Sequence, residues 1–329
     1  MTGTKGRILT GHRPTGPRHI GHLVGTLENW ARLQDAYECY FLVADLHVLT
    51  TDYEHPDRIQ ANILALLADW LAAGIDPDRA HIVLQSAIPA HAQLATLLSM
   101  LVTTSRLERV PTFKEQTQQL RLKPSLGLLA YPVLQTADVL VYKADAVPVG
   151  EDQLPHLELS REIARRFNQL YGATFPEPGA VLSRMARLPG TDNRTMHASY
   201  GNTIALGDSP EETARKVMEM YTDPTRIHAS DPGHIQGNPV FDYLEIFDPD
   251  REALEDLKLR YQQGGVGDVI VKRHLAETLN AYLAPLRGRR QELIARPDDL
   301  HDVLRAGTEF ARPVAESTLE EVMKKMGLH

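Results

Sequence analysis

The chain has 329 residues, 43% of them hydrophobic and 24% charged, which suits two domains, or one large domain with an appended lobe, around a sizeable core. A formal net charge of −8 excludes a general nucleic-acid coat, so any RNA contact needs a local basic patch. Cys39 is the only cysteine, which excludes an intramolecular disulfide and a Cys-rich metal site and fits a reducing cytosol.

Arg7 to Thr10 reads as a short buried strand and leaves no room before it for a signal peptide. Gly11 to Pro17 is the loop after it. A helix is expected over His19–Gln34, with Leu23, Leu27, Trp30 and Leu33 three or four apart. Tyr40 to Ala44 reads as the second strand, with Asp45, Leu46 and His47 at its carboxyl edge. Pro56–Ala73 is an amphipathic helix closed by Gly74. The most apolar stretch, Ile63 to Ile75, is short and carries Asp69, so no membrane span is expected. His81–Gln85 is a third strand and Pro89–Val102 another helix. Leu126–Tyr142 reads as helix, Asp145–Val149 as a fourth strand, and Leu154–Leu170 as the helix beyond it. Strands alternating with helices predict an α/β fold with a parallel sheet and crossovers, in which ligands bind beyond the strand carboxyl ends. Pro176–Pro189 reads as a linker. The rest is helical, over Glu211–Tyr221, Arg251–Gln262, Ile270–Arg287 and Ala315–Met326.

The strongest motif runs from Thr10 to His22 (TGHRPTGPRHIGH) and joins the first strand to the first helix. Gly11 and Gly16 permit tight turns, and Gly21 lets a ligand approach the backbone. The helix start offers free N–H groups and positive potential to phosphate. His19 and His22 are placed to donate hydrogen bonds to phosphate oxygens whose charge grows in a transition state. Two such histidines also serve as capping or solvated residues, and their spacing suits one face of a metal site, although no third ligand is evident. The preceding strand and the Pro14-Thr15-Gly16 turn favour the phosphate site. Asp138 lies within an apolar helix, where an unpaired carboxylate is costly; a purely structural carboxylate is the alternative to a binding role. Gly150 to Gln153 (GEDQ) follows the fourth strand, a turn equally suited to ribose or ammonium recognition and to an ordinary helix start.

His19-Ile20-Gly21-His22 matches the HIGH signature of class I aminoacyl-tRNA synthetases. The surrounding Gly11-x-Arg13-Pro14-Thr15-Gly16, Val43 to His47 (VADLH), Leu107-Glu108-Arg109, Phe113-Lys114-Glu115, Tyr131-Pro132, Ala137 to Leu140 (ADVL) and Val147 to Gln153 (VPVGEDQ) resemble the tryptophanyl branch. So does the closing segment Leu319 to Leu328. The resemblance implies a Rossmann-like catalytic domain over residues 1–190, a helical tRNA anticodon-binding domain over 191–300, and a C-terminal helix over 301–329 that packs back on the core. It implies ATP with Mg²⁺, L-tryptophan and tRNA(Trp) as ligands, and a homodimer. Thr15, His19 and His22 would hold ATP for catalysis with Arg13; Gly11, Gly21, Gly150, Asp152, Met196 and Ser199 would complete the nucleotide site. Asp138 would accept the indole N–H, a group that only donates, and a buried acceptor of this kind rejects phenyl rings. Leu9, Val147 and Val149 would supply apolar walls. His47, Tyr131 and Gln153 would meet the polar end or rim. Gln135 joins this set, where relatives often carry an apolar residue.

The chain departs from the family at its second signature, KMSKS, which here reads Thr195-Met196-His197-Ala198-Ser199. Both lysines are replaced, and Gln116 stands where many relatives carry another. Candidates to compensate are Arg13, Arg194, Lys114, Lys123 and His197. The departure motivates an alternative, an auxiliary tryptophan-binding paralogue acting as a sensor or with a protein partner; the tyrosyl branch is another. Lys272, Arg273, Arg287, Arg289 and Arg290 form a basic run suited to RNA phosphates, or a solvated helix face.

Overall fold

The computed structural model describes residues 6–113, 117, 124–150, 153–182, 188–196 and 200–328. The chain forms two compact units. One comprises Met1–Gly16, Asn29–Ser183 and Arg296–His329; the other comprises Pro17–Glu28 and Arg184–Ala295.

The first unit is built on five parallel strands, β1 (Arg7–His12), β2 (Glu38–Val43), β3 (Ala80–Leu84), β4 (Ala146–Val149) and β5 (Gly179–Leu182). Their order is β3-β2-β1-β4-β5. In β2, Cys39 to Val43 is buried without interruption, the run expected where helices cover both faces of a sheet. Strand order reverses between β1 and β4, the switch point beyond which such sheets bind ligands. There Thr10 Oγ1 donates to the Pro148 carbonyl at 3.3 Å. The segment expected to be linker supplies β5 instead, pairing Ala146 with Gly179 through Val149 with Leu182. Four residues between prolines are too few to show a period in the sequence. Gly11 also differs from expectation: it lies within β1 opposite Leu42, and an added Cβ would meet the Leu42 carbonyl at 2.2 Å. Its bareness serves strand packing, whereas Gly16, at φ +139°, does make the turn.

Helices Ile59–Ala72, Ala90–Ser99, Leu126–Val141 and Leu154–Tyr171 connect or cover the strands. The helix expected over His19–Gln34 is broken into Ile20–His22, a π turn over Leu23–Leu27, and Glu28–Leu33. Gly25 lies in that turn and Thr26 Oγ1 donates to the His22 carbonyl at 2.6 Å, two features that loosen the regular ladder. The last helix spans Pro297–Lys325 as one piece, continuing through Pro313. It lies against the edge strand β3, where an added Cβ on Gly307 would meet the Ile82 carbonyl at 2.3 Å. Thr308 Oγ1 accepts from the Leu84 N–H at 2.9 Å, so the helix covers an edge that would otherwise invite pairing. Gly307→Val is expected to cost about 2–3 kcal/mol through overpacking, read as a lower urea midpoint; an unchanged midpoint would show that this close approach is dispensable.

The second unit contains helices Pro210–Met218, Pro239–Phe247, Arg251–Gln262 and Asp268–Ile294. Ser209, Asn238 and Asp250 cap the first three, each side chain accepting a backbone N–H of the first turn. Within this unit the segment Pro17–Glu28 is tied down by Ile20 N–H to the Ile204 carbonyl and Leu206 N–H to the Arg18 carbonyl, both at 2.9 Å. Among the described residues, no helix is long and apolar enough to cross a membrane.

Candidate functional site

In the first unit one of the expected amino-acid residues, His47, bonds directly to Asp138. The helix Leu126–Val141 buries this residue to 2% exposure, with Ala137 and Leu140 in the same apolar core as Leu9, Val133 and Val147, and Val149 packed against it. A carboxylate in such surroundings must be satisfied. His47 Nε2 lies 2.8 Å from Oδ2 and His91 Nδ1 2.7 Å from Oδ1. Gln85 Nε2 donates to Oδ1 at 2.8 Å and to Oδ2 at 3.0 Å. Burial pushes the carboxyl up, but the hydrogen bonds and charges of His47 and His91 outweigh it and hold the group at about 2. Asp138 is therefore ionised and each of these neighbours acts as a donor.

Tyr142 OH lies 2.8 Å from His91 Nε2. Burial first, then the Asp138 charge, pushes this phenol far above its ordinary range. The hydroxyl keeps its proton, so it accepts from Nε2–H of a charged His91 or donates to Nε2 of a neutral one, and in both cases a His91 proton sits on Nδ1, facing Asp138. The His47 ring stands edge-on to Tyr131, 6.4 Å between centroids. Tyr131 OH meets Thr112 Oγ1 at 2.5 Å, and the same hydroxyl lies 2.6 Å from His156 Nε2. Gln135 is half-buried on the same helix as Asp138. Gly150 turns the chain out of β4, its carbonyl accepting from the Gln153 N–H at 3.0 Å, and Gln153 is the N-cap position of the helix Leu154–Tyr171.

Sequence reasoning missed Gln85, His91, Tyr142, Thr112 and His156. The one available signal was the apolar setting of Asp138, which required donors without naming them. Gln85 and His91 lie 53 and 47 residues away in the chain.

Arg13 donates to Thr51 Oγ1 at 3.2 Å, and burial pushes its guanidinium down from the ordinary value. Thr15 is exposed, its N–H donating to the Arg13 carbonyl at 2.9 Å. In the second unit, the His19 N–H donates to His22 Nδ1 at 3.3 Å. The two rings lie 3.7 Å apart between centroids. That bond fixes the His22 tautomer, with the proton on Nε2 when the ring is neutral. The space over Gly21 is taken within this unit: an added Cβ would meet Met196 Sδ at 2.8 Å and the His19 ring at 3.1 Å. Met196 follows a small hairpin in which Pro189 pairs with Thr195. Asn202 Nδ2 braces it through Asp192 Oδ1 at 2.8 Å and the Thr195 carbonyl at 3.0 Å. Arg194 is engaged by Asp192 at 2.7 Å. Lys114, Gln116, Lys123, Asp152, His197, Ala198 and Ser199 lie outside the described residues.

The expected basic run does not form one face. Lys272 is buried and donates to the carbonyls of Met218 and Met220 at 3.2 and 2.6 Å. Arg287 is buried and donates to Asn280 and Thr213. Their long stems reach inward to satisfy carbonyl and side-chain oxygens, while Arg273 and Arg289 are exposed.

Residues 1–284 match the family described as tRNA synthetases class I (W and Y). The chain is 47% identical over 325 residues to the tryptophan–tRNA ligase of Thermotoga maritima, covering 98% of this chain and 99% of that protein. It is 46% identical over 332 residues to the tryptophan–tRNA ligase of Chlamydia caviae, covering 98% and 96%. Among solved structures, the Campylobacter jejuni tryptophanyl-tRNA synthetase complexed with ADP and tryptophan is similar with a TM-score of 0.88 at 32% identity, over 98% of this chain and 100% of that one.

Proposed function

This chain belongs to the class I aminoacyl-tRNA synthetases of the W and Y family, and from that premise we propose that it activates L-tryptophan with ATP and transfers it to tRNA(Trp). The observation that carries the tryptophan reading is the buried, ionised Asp138 among apolar residues of β1 and β4. An indole N–H supplies a donor there and asks for no donor in return. The tryptophan carboxylate oxygen attacks the α-phosphorus, that bond forms as the bridging bond to the β-phosphate breaks, and pyrophosphate leaves. A terminal hydroxyl oxygen of the tRNA then attacks the acyl carbon, the bond from that carbon to the phosphate oxygen breaks, and AMP leaves. Catalysis of this kind is positioning plus stabilisation of developing charge.

Within this reading Thr15, Arg13, His19 and His22 serve the phosphates, and Gly150, Asp152, Met196 and Ser199 serve the nucleotide. Leu9, His47, Tyr131, Gln135, Val147, Val149 and Gln153 serve the amino acid. Mg²⁺ arrives with ATP, whose phosphate oxygens supply its ligands; it adds positive charge at the phosphates. Residues 191–300 meet the tRNA, with the exposed Arg273 a candidate for phosphate contact. We further propose a cytoplasmic homodimer.

The test is tryptophan-dependent ATP–pyrophosphate exchange, followed by charging of tRNA(Trp). Exchange with tryptophan and none with tyrosine is expected; tryptophan binding with no exchange would overturn the enzyme reading. A Thr195→Lys, Ala198→Lys double variant should raise the exchange rate by roughly tenfold or more, because one aimed donor to a leaving phosphate is worth ~10²–10³. No gain would mean that other cations already fill that role.

A further inference from the structure

We infer that Gln85 and His91 are positioning residues that set the amino-acid specificity of this site, by locking the Asp138 carboxylate so that Oδ2 is the oxygen presented to a ligand donor. The inference rests on the reading of Asp138 as the indole acceptor.

Both side chains are fully buried, and neither is free to turn. The Gln85 amide is oriented by its own oxygen, which accepts from the Leu46 N–H at 3.1 Å. Its nitrogen must then face Asp138. The backbone around it is latched as well, since Asp45 Oδ1 accepts from the Ser86 N–H at 2.9 Å and from the Leu46 N–H at 3.1 Å. His91 is held from behind by Tyr142 OH at 2.8 Å, and Tyr142 is stacked on Tyr40 with 4.6 Å between centroids.

The two oxygens of Asp138 are therefore unequal. Oδ1 takes the His91 bond at 2.7 Å and the shorter Gln85 contact at 2.8 Å. Oδ2 takes the longer Gln85 contact at 3.0 Å and His47 at 2.8 Å. A carboxylate oxygen has two lone-pair directions, and one Gln85 proton is shared between both oxygens. Oδ2, with the longer of the two Gln85 contacts, is the less tightly held oxygen, and it faces His47 on the Tyr131 side. His47, its second partner, sits on the four-residue helix Asp45–Val48 beside the Tyr131 ring. Without Gln85 and His91 the carboxylate rotates about its own bond, and the acceptor no longer stands in one place.

The experiment compares the dissociation constants of L-tryptophan and its benzothiophene isostere, in which sulfur replaces the indole N–H, by calorimetry on the full chain. The wild type is expected to prefer tryptophan roughly ten- to a hundredfold, the worth of a hydrogen bond to a charged group. Gln85→Leu and His91→Leu should reduce that preference to about threefold or less. His91→Asn, which keeps an amide N–H near the place of Nδ1, should recover most of it. Equal binding of both ligands by the wild type would refute the indole-acceptor reading itself. A wild type that discriminates, with leucine variants that discriminate equally well, overturns the positioning role alone. If the leucine variants fail to fold, Tyr142→Phe decides: it removes only the hydroxyl behind His91 and should lower the preference about threefold, whereas an unchanged preference counts against the inference.

Discussion

Asp138→Ala is expected to lower stability by ~3–5 kcal/mol, because breaking a buried charge pair from one side leaves its partners stranded, and to abolish tryptophan-dependent pyrophosphate exchange. The substitution leaves Gln85 Nε2, His91 Nδ1 and His47 Nε2 facing a cavity, with no water-exposed route for the two fully buried donors. Urea unfolding at neutral pH measures the first effect, and a loss under about 1 kcal/mol would show that the cluster relaxes around the gap. The same carboxylate makes a prediction in pH. Its folded-state value is depressed from 3.8 to about 2, so the stability it contributes is present above its unfolded value and is lost as pH falls through its folded value. A depression of this size is worth on the order of 2 kcal/mol. The stability gap between wild type and Asp138→Asn should therefore shrink by that amount on going from about pH 4 to about pH 2. A gap that stays constant across that window would mean that Asp138 is not held ionised by its neighbours.

His22→Ala is expected to lower the exchange rate constant by ~10²–10³, the usual effect of removing a donor aimed at developing phosphate charge, with tryptophan affinity unchanged by calorimetry. The expectation uses the tautomer: the His19 N–H occupies His22 Nδ1 at 3.3 Å, which puts the proton of the neutral ring on Nε2. Removing the ring also removes this capping hydrogen bond, at a cost of only about 1 kcal/mol, too little to unfold the protein and mimic a catalytic defect. His22→Gln, with an amide N–H near the place of Nε2, should regain part of the rate. A variant whose tryptophan affinity falls in step with its rate would assign His22 to folding instead.

Much of the first unit was legible in the chain. Apolar runs such as Tyr40 to Val43, each followed by a helical period, gave four parallel strands because a strand buried on both faces has no polar side. The HIGH string and Asp138 stood out for the same kind of reason: polar groups where burial or a helix start makes them expensive or useful. The loop at Thr195 to Ser199 was legible as a departure, and it motivated a non-catalytic reading that no described contact favours.

Other features were not local and were misread or missed. The strand Gly179–Leu182 exists only because β4 offers it an edge. The bareness of Gly11 and Gly307 answers to Leu42 and Ile82 on other strands. Lys272 and Arg287 look like an RNA-facing pair in one dimension, yet both reach inward to carbonyl and side-chain oxygens. The sequence by itself determined the order of elements, the motifs and the need for a partner at Asp138, since periodicity and the cost of a buried charge act over a few residues. Only the tertiary structure decided that the partners are Gln85, His91 and His47, because closing loops of 53, 47 and 91 residues is a property of the packed sheet and not of any stretch of chain.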